Sequence, residues 1–348
     1  MKVLADYNTD ELKELAKSFS QPSFRGGQLF KWVADGADYG EMSDIPKSFR
    51  EDLAKEYCAV PLSEVKTLCS ADKSKKYLFK LHDGNLIECV YMPHSYGNTV
   101  CASTQVGCRM GCTFCASGKN GLERNLTAGE ILYQIIAANK SEGGTRTKRA
   151  VHNVVLMGSG EPLDNYDNVT KFIKLATDEN GLNIGQRYIS LSTCGICENI
   201  VRLADEGYGV TLSVSLHATT DEYRKQVMPI ANKYTISDIM HAVRYYFDKT
   251  GRRVIFEYAL IKDVNMNYFD AKRLAELTKG FASHVNLIML NKVDGKNIAG
   301  CTRTEAERFM KRLNDFGVSA SIRKSSGQDI GGACGQLRGR YINDGKND

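Results

Sequence analysis

The chain has 348 residues, 42% of them apolar and 25% charged, with 46 Lys and Arg against 41 Asp and Glu and a net charge of +5. That is the balance of an ordinary globular protein, and no apolar run is long enough to span a bilayer. Eleven cysteines, odd in number and irregular in spacing, do not make a disulfide framework, and "MKVLADYNTDELKELAKSF" lacks the apolar run and cleavage site of a secretory signal. The expectation is therefore a cytoplasmic protein with no membrane association, whose thiols stay reduced.

Residues 1–60 read as a helical domain. Leu12, Leu15, Ala16 and Phe19 recur at helical spacing, Pro22 interrupts, and Leu29, Phe30 and Val33 resume. This segment holds eight Lys and Arg against eleven Asp and Glu, a balance of −3 that leaves +8 on the remainder. Over 61–98 the pattern becomes strand-like, and "HDGN" between two apolar runs marks a β-hairpin extension. Small basic clusters such as Lys73-Lys75-Lys76 and Arg338-Arg340 read as solvated loops that permit a polyanionic partner.

From 99 to 345 the rhythm changes. Apolar, β-branched runs ("TVCAST", "HNVVLMG", "YISLSTC", "GVTLSVSLH", "RVIFEYALI", "HVNLIMLN", "SASIRK") alternate with amphipathic stretches such as "TAGEILYQIIAANK" and "TEAERFMKRLNDFG". Strand then helix, repeated about six times, implies an α/β fold with a parallel sheet and right-handed crossovers, either an open doubly wound sheet or a complete or partial barrel. In either case the C-terminal strand ends share one face. Cys108, Cys112, Cys115, Gly160, Glu161, Ser192, Ser215, His217, Asn291 and Cys334 all follow or end these strands, so residues far apart in sequence converge on one mouth.

Three cysteines within "GCRMGCTFC" are one short of a closed structural zinc site, although Cys194 and Cys197 in "STCGIC" could nominally complete one. A four-iron cluster held by three thiolates leaves one iron open, as catalysis requires. Cys58, Cys69, Cys89 and Cys301 lack partners at motif spacing and read as buried small hydrophobes, and Cys197 as a surface thiol.

These residues carry a resemblance. "CRMGCTFC" resembles the Cys-x-x-x-Cys-x-aromatic-Cys signature of the radical S-adenosylmethionine (SAM) superfamily, and "GSGEP" its glycine-rich stretch. "PSFRGGQLFKW", "VCASTQVGC", "GLERNLTAGEI", "VSLHATTDEYRKQVMPI", "HVNLI" and "DIGGACGQL" are similar to one branch, the RlmN/Cfr family of RNA adenine methyltransferases, over nearly the whole chain. The resemblance implies a partial TIM-like (β/α)6 barrel. In it a 4Fe-4S cluster sits on Cys108, Cys112 and Cys115, and SAM is bound by Gly160, Glu161, Ser192, Ser215, Leu216, His217 and Asn291. It also implies methylation of carbon 2 of an adenine in 23S rRNA, and of a tRNA adenine, with two SAM consumed per turnover. Cys334 would carry the methyl group and the adduct to the base, Glu88 would accept a proton, and Cys101 would release product through a transient disulfide with Cys334. An electron donor such as flavodoxin and a monomeric state are further implications, and the first sixty residues would help grip RNA.

Read without the family, Glu88 is an exposed charge on a hairpin strand, His217 a core histidine and Cys334 a buried small residue. Carbon-8 methylation, or a non-enzymatic iron–sulfur RNA-binding protein, are the alternatives.

Overall fold

The computed structural model of the protein describes residues 1–118, 121–290, 300–323 and 326–330. Ten strands form its large sheet: β1 (Leu62–Cys69), β2 (Lys75–Leu81), β3 (Leu86–Met92), β4 (Thr99–Cys101), β5 (Asn153–Leu156), β6 (Ile189–Thr193), β7 (Thr211–Ser215), β8 (Val254–Leu260), β9 (Ser283–Met289) and β10 (Ala320–Ile322). Their order across the sheet is their order along the chain, with β10 at one edge and β1 at the other. From β4 to β10 every pairing is parallel, while β3, β2 and β1 extend the sheet antiparallel from β4. This is the α/β, partly closed barrel expected, with helical crossovers between successive parallel strands.

Local sequence explains the element starts. Thr127 and Glu130 form a capping box that opens the helix Ala128–Ser141, and Thr235/Asp238 and Thr302/Glu305 do the same for Ile236–Thr250 and Arg303–Asp315. The "HDGN" turn joins β2 to β3 through a hydrogen bond from Leu81 N to Asn85 O of 2.8 Å. The N-terminal helices span Thr9–Ser18, Phe24–Ala34 and Lys47–Glu56, and bury Leu12, Leu15, Ala16, Leu29, Phe30 and Val33 as the periodicity requires. Among the described residues no helix is long and apolar enough to cross a membrane. A short ladder between Gln105–Gly107 and Leu122–Asn125 has no counterpart in the sequence reading, because three or four residues cannot establish a strand period.

Strand alternation divides the sheet into two unlike faces. Val100, Val154, Leu191, Leu212, Val214, Val254, Phe256, Val285 and Leu287 are fully buried on the face that joins the apolar core. Each such side chain contributes about 1.5–3 kcal/mol by leaving water. The residues between them point the other way and are mostly polar. The register makes Lys76, Val90, Cys101, Val155, Ser190 and Thr211 one row across this second face. Ser192, Ser213 and Ile255 form the next row, and Ser215, Glu257, Asn286 and Ser321 another. The polar face is the inner wall of the partial barrel, and the site is built on it.

The isolated cysteines divide. Cys89 and Cys301 are buried as expected, but Cys58 is only partly covered and Cys69 is exposed, because β1 is an edge strand with solvent beside it. Lys76 departs further: it does not join Lys73 in a solvated loop but is 0% exposed.

Candidate active site

The cysteine loop is clasped at both ends. Cys108 N donates to Gly121 O at 2.9 Å and Thr113 N to Val227 O at 3.0 Å, while Arg109 pairs with Asp164. Between these anchors, burial pushes the Cys108 thiol up to about 12, with the nearby Glu161 and Cys115 adding to the shift. Burial likewise pushes Cys112 up to about 12, reinforced by Cys115 and Cys108. The three thiols thus feel one another, as donors gathered round a common centre do. Among the described residues no trio of His, Cys, Asp and Glu is closed to the spacing of a single metal ion. Cys194 stands within electrostatic reach of Cys112, yet its thiol is tied to the Glu161 carboxylate. It is not spare for a fourth ligand, and Cys197 lies partly covered with its Sγ 3.5 Å from Gly195 O. The donor set is three thiols of one loop, which fits a cluster with one open iron.

The turn after β5 lies against this loop. Gly158 and Gly160 have no room for a side chain: a Cβ on Gly158 would come within 2.6 Å of Ala102 O, and on Gly160 within 2.6 Å of Gln105 Cβ. Ser159 N donates to Ser103 Oγ at 2.9 Å, and Glu161 N to Gln105 Oε1 at 2.8 Å. Glu161 is 4% exposed, and its carboxylate accepts from Leu163 N (3.0 Å) and Cys194 N (2.7 Å). Burial raises its pKa against these donors. Its side chain thus staples the ends of β5 and β6 together.

Ser192 and Ser215 lie on the inner wall and are partly exposed. Leu216 is fully buried, with its N donating to Glu257 O (3.1 Å) and its O accepting from Arg224 Nε (3.2 Å). His217 is also buried, in the left-handed region at φ 57°. Its Nδ1 accepts from Ala259 N at 3.0 Å, and its ring meets Phe114 of the cysteine loop edge-on at 4.8 Å between centroids. His217 therefore joins the strand ends to the cluster loop. Burial, helped by the Arg224 charge, pushes its pKa down to about 3 from 6.5. Between those values the unfolded chain binds a proton that the native imidazole refuses, so stability rises with pH and is lost as pH falls below 6.5. Denaturant titrations at pH 7 and pH 5 should show a drop of up to about 1.4 kcal/mol per pH unit from this group, diminished in His217→Gln. An equal drop in both proteins would remove His217 from the account.

Glu88 overturns the exposed-charge reading. It is 3% exposed and pairs with Lys76 Nζ at 2.8 Å. Cys101, at the end of β4, carries a free thiol, and nothing supports a standing disulfide. Burial raises its pKa, while Arg323 and Lys76 lower it. Asn291 and Cys334 lie outside the described residues.

Three residues escaped the sequence reading. Arg224 is 0% exposed, and its guanidinium donates to the carbonyls of Cys194 (2.6 Å), Leu216 (3.2 Å), Ser215 (3.4 Å) and Tyr234 (3.5 Å). It gathers the ends of β6 and β7 beneath the cysteine loop. Glu257 is buried on the inner wall beside Ser215, held by Asn286 Nδ2 at 3.1 Å and facing Arg323 at 4.0 Å. Burial raises its pKa. Lys76 is the third. The only signals were a lone acid inside "VIFEYALI" and cations inside motifs quoted for other reasons.

Residues 102–272 match the Radical SAM superfamily, and residues 3–59 match the Ribosomal RNA large subunit methyltransferase N-terminal domain. Fold and site together therefore define a radical SAM enzyme. The probable dual-specificity RNA methyltransferase RlmN of Clostridium perfringens (strain 13 / Type A) is 48% identical over 345 residues, 98% of this chain and 98% of that protein. The protein of the same description from Clostridium acetobutylicum is 48% identical over 344 residues, again 98% of each. The crystal structure of a radical SAM methyltransferase from Sphaerobacter thermophilus superposes with a TM-score of 0.92 at 40% identity, over 97% of this chain and 99% of that one. The chain belongs to the RlmN family of radical SAM RNA methyltransferases.

Proposed function

We propose that this protein methylates carbon 2 of an adenine, adenosine 2503 of 23S rRNA in the family's numbering and adenosine 37 of some tRNAs. The observation that carries the reading is one wall of one sheet. Glu88, Cys101, Ser192 and Ser215 share the inner face, and His217 seats the cysteine loop over the strand ends. When bound, the 4Fe-4S cluster and SAM supply the methyl group and the radical chemistry that an unreactive aromatic carbon demands.

The chain's own residues do the rest. Cys108, Cys112 and Cys115 hold the cluster. The backbone of Gly160 and Glu161, with Ser192, Ser215, Leu216, His217 and Asn291, positions SAM. Leu216 and His217 act through the backbone they fix, since their side chains are buried. Cys334 carries the methyl group as a nucleophilic thiol, and Glu88 accepts the proton the adenine must lose. Cys101 then frees the base by a transient disulfide with Cys334.

Residues 1–60 form the RNA-gripping accessory domain, 61–98 the hairpin extension and 99–345 the catalytic barrel. Lys31 is exposed on the second helix and available to the phosphate backbone. The protein works as a cytoplasmic monomer and takes its electrons from a flavodoxin-like donor.

The test is anaerobic. Reconstituted protein, a reductant, methyl-labelled SAM and unmodified ribosomal RNA are combined, and the nucleosides are identified by mass spectrometry. Label in 2-methyladenosine, abolished in Cys334→Ala, is the expected result. Label in 8-methyladenosine would move the target carbon. SAM cleavage without labelled nucleoside would reject ribosomal RNA as the substrate.

A further inference from the structure

The inner wall holds a buried ion pair that the cofactor site does not use. Lys76 on β2 and Glu88 on β3 are 0% and 3% exposed, with Nζ and Oε2 2.8 Å apart. Glu88 lies opposite Leu78, and Lys76 opposite Val90, so the two long side chains meet on the diagonal of one face. Val90 in turn lies opposite Cys101 of β4. Ammonium, carboxylate and thiol therefore share one face of three adjacent strands.

Burying two charges between strands is costly, and an apolar pair of similar volume often folds as well or better. A buried pair here calls for a reason beyond stability, and its position offers one. We infer that Lys76 is the positioning residue that holds the Glu88 carboxylate in place and sets a cation on the face that carries the Cys101 thiol. The inference rests on the roles proposed above for Glu88 and Cys101. The Lys76 ammonium, 2.8 Å from Oε2, fixes the Glu88 carboxylate in place on the inner wall. The Lys76 charge also lowers the pKa of Cys101, and a thiolate is what attack on a sulfur requires. One cation would thus serve two residues. The other charges acting on Cys101 are Glu88 itself and Arg323, which reaches it from the end of β10.

The experiment uses the full chain. Cys101 alkylation by iodoacetamide is followed by peptide mass spectrometry from pH 6 to pH 10 in wild type, Lys76→Met, Lys76→Arg and Lys76→Gln. Lys76→Gln removes the charge but keeps a donor for the Glu88 carboxylate, so it reports even where the Met variant fails to fold. In Lys76→Met the thiol should react about tenfold more slowly at pH 8, its profile moved up by about one unit, with recovery in Lys76→Arg. In the same proteins, reconstituted, label transfer to RNA should fall at least tenfold in Lys76→Met while SAM cleavage persists. Glu88→Gln is run alongside. If it methylates at the wild-type rate, the proton-acceptor reading of Glu88 fails, and Lys76 is then judged on Cys101 alone. A wild-type alkylation profile with undiminished methylation, in whichever of Lys76→Met and Lys76→Gln folds, would overturn the inference.

Discussion

Arg224→Met is expected to lower the unfolding free energy by about 3–5 kcal/mol and to leave the protein unable to retain iron. The guanidinium is fully buried and donates to four carbonyls, those of Cys194, Ser215, Leu216 and Tyr234. Each carbonyl that loses its donor in a dry interior costs about 1–3 kcal/mol, and a Met side chain of similar length offers none. The loss is not confined to stability. Cys194 directly follows β6, Ser215 ends β7 and Leu216 follows it, while His217, the next residue, packs on Phe114 between Cys112 and Cys115. Releasing those carbonyls loosens the floor on which the cysteine loop rests. Lys at this position restores the charge but not the planar fork, so Arg224→Lys should recover little. Guanidinium denaturation with an iron assay on reconstituted protein decides the matter. A variant within 1 kcal/mol of wild type by that denaturation, with full iron content, would show that the carbonyls find other donors.

Gly160→Ala is the second substitution with a large expected effect, and it should abolish measurable SAM binding while costing about 1–3 kcal/mol of stability. Gly160 has φ 109°, where residues with a side chain are strained, and its added Cβ would sit 2.6 Å from Gln105 Cβ and 2.8 Å from Gln105 N. Gln105 cannot step aside cheaply. It accepts from Glu161 N at 2.8 Å and donates to Asn125 at 2.8 Å and Asp164 at 3.0 Å, and Asp164 in turn pairs with Arg109 of the cysteine loop. A methyl group there shifts the turn away from the loop. Gly207→Ala is the control, because Gly207 also has a positive φ (76°) but nothing within 4 Å of its added Cβ. It should show the backbone strain without the loss of ligand. Calorimetric titration of both reconstituted variants with SAM separates the two contributions. Equal affinity in Gly160→Ala and wild type would mean that the turn does not touch the cofactor.

Much of this architecture was legible before any coordinates. The seven apolar runs after residue 99 became β4 to β10 because buried parallel strands demand continuous apolar, β-branched stretches. The N-terminal helices appeared where Leu12, Leu15 and Ala16 set the period. Ser192, Ser215 and His217 fell at strand ends because that is where a β/α unit leaves its loops, while Asn291 and Cys334 lie outside the described residues. The cysteine spacing identified its loop, since chelation needs donors close in sequence on a short, constrained segment. What the pattern could not say was which of two adjacent cations is buried. Lys75 and Lys76 differ by one residue, yet the pleat sends Lys76 to the inner wall beside Glu88, while Lys75 pairs with Glu142 at 2.6 Å and stays part-exposed. Glu88 was misread for the same reason, because exposure on a hairpin depends on what the far face packs against.

By itself, the sequence determined the element order, the strand-end placement of Ser192 and Ser215, and the gathering of three cysteines in one loop. Each is written in local spacing, and local spacing survives translation into a fold unchanged. Tertiary structure alone decided the rest. Register across strands aligned Lys76, Cys101, Ser192 and Glu257 on one wall, and long-range burial made Arg224 the tie beneath the cysteine loop and silenced the His217 base. Those properties arise from pairings between residues as far apart as Phe114 and His217, where no period connects one partner to the other. Desolvation then sets their charge and reactivity, and it belongs to the packed interior rather than to any segment of chain.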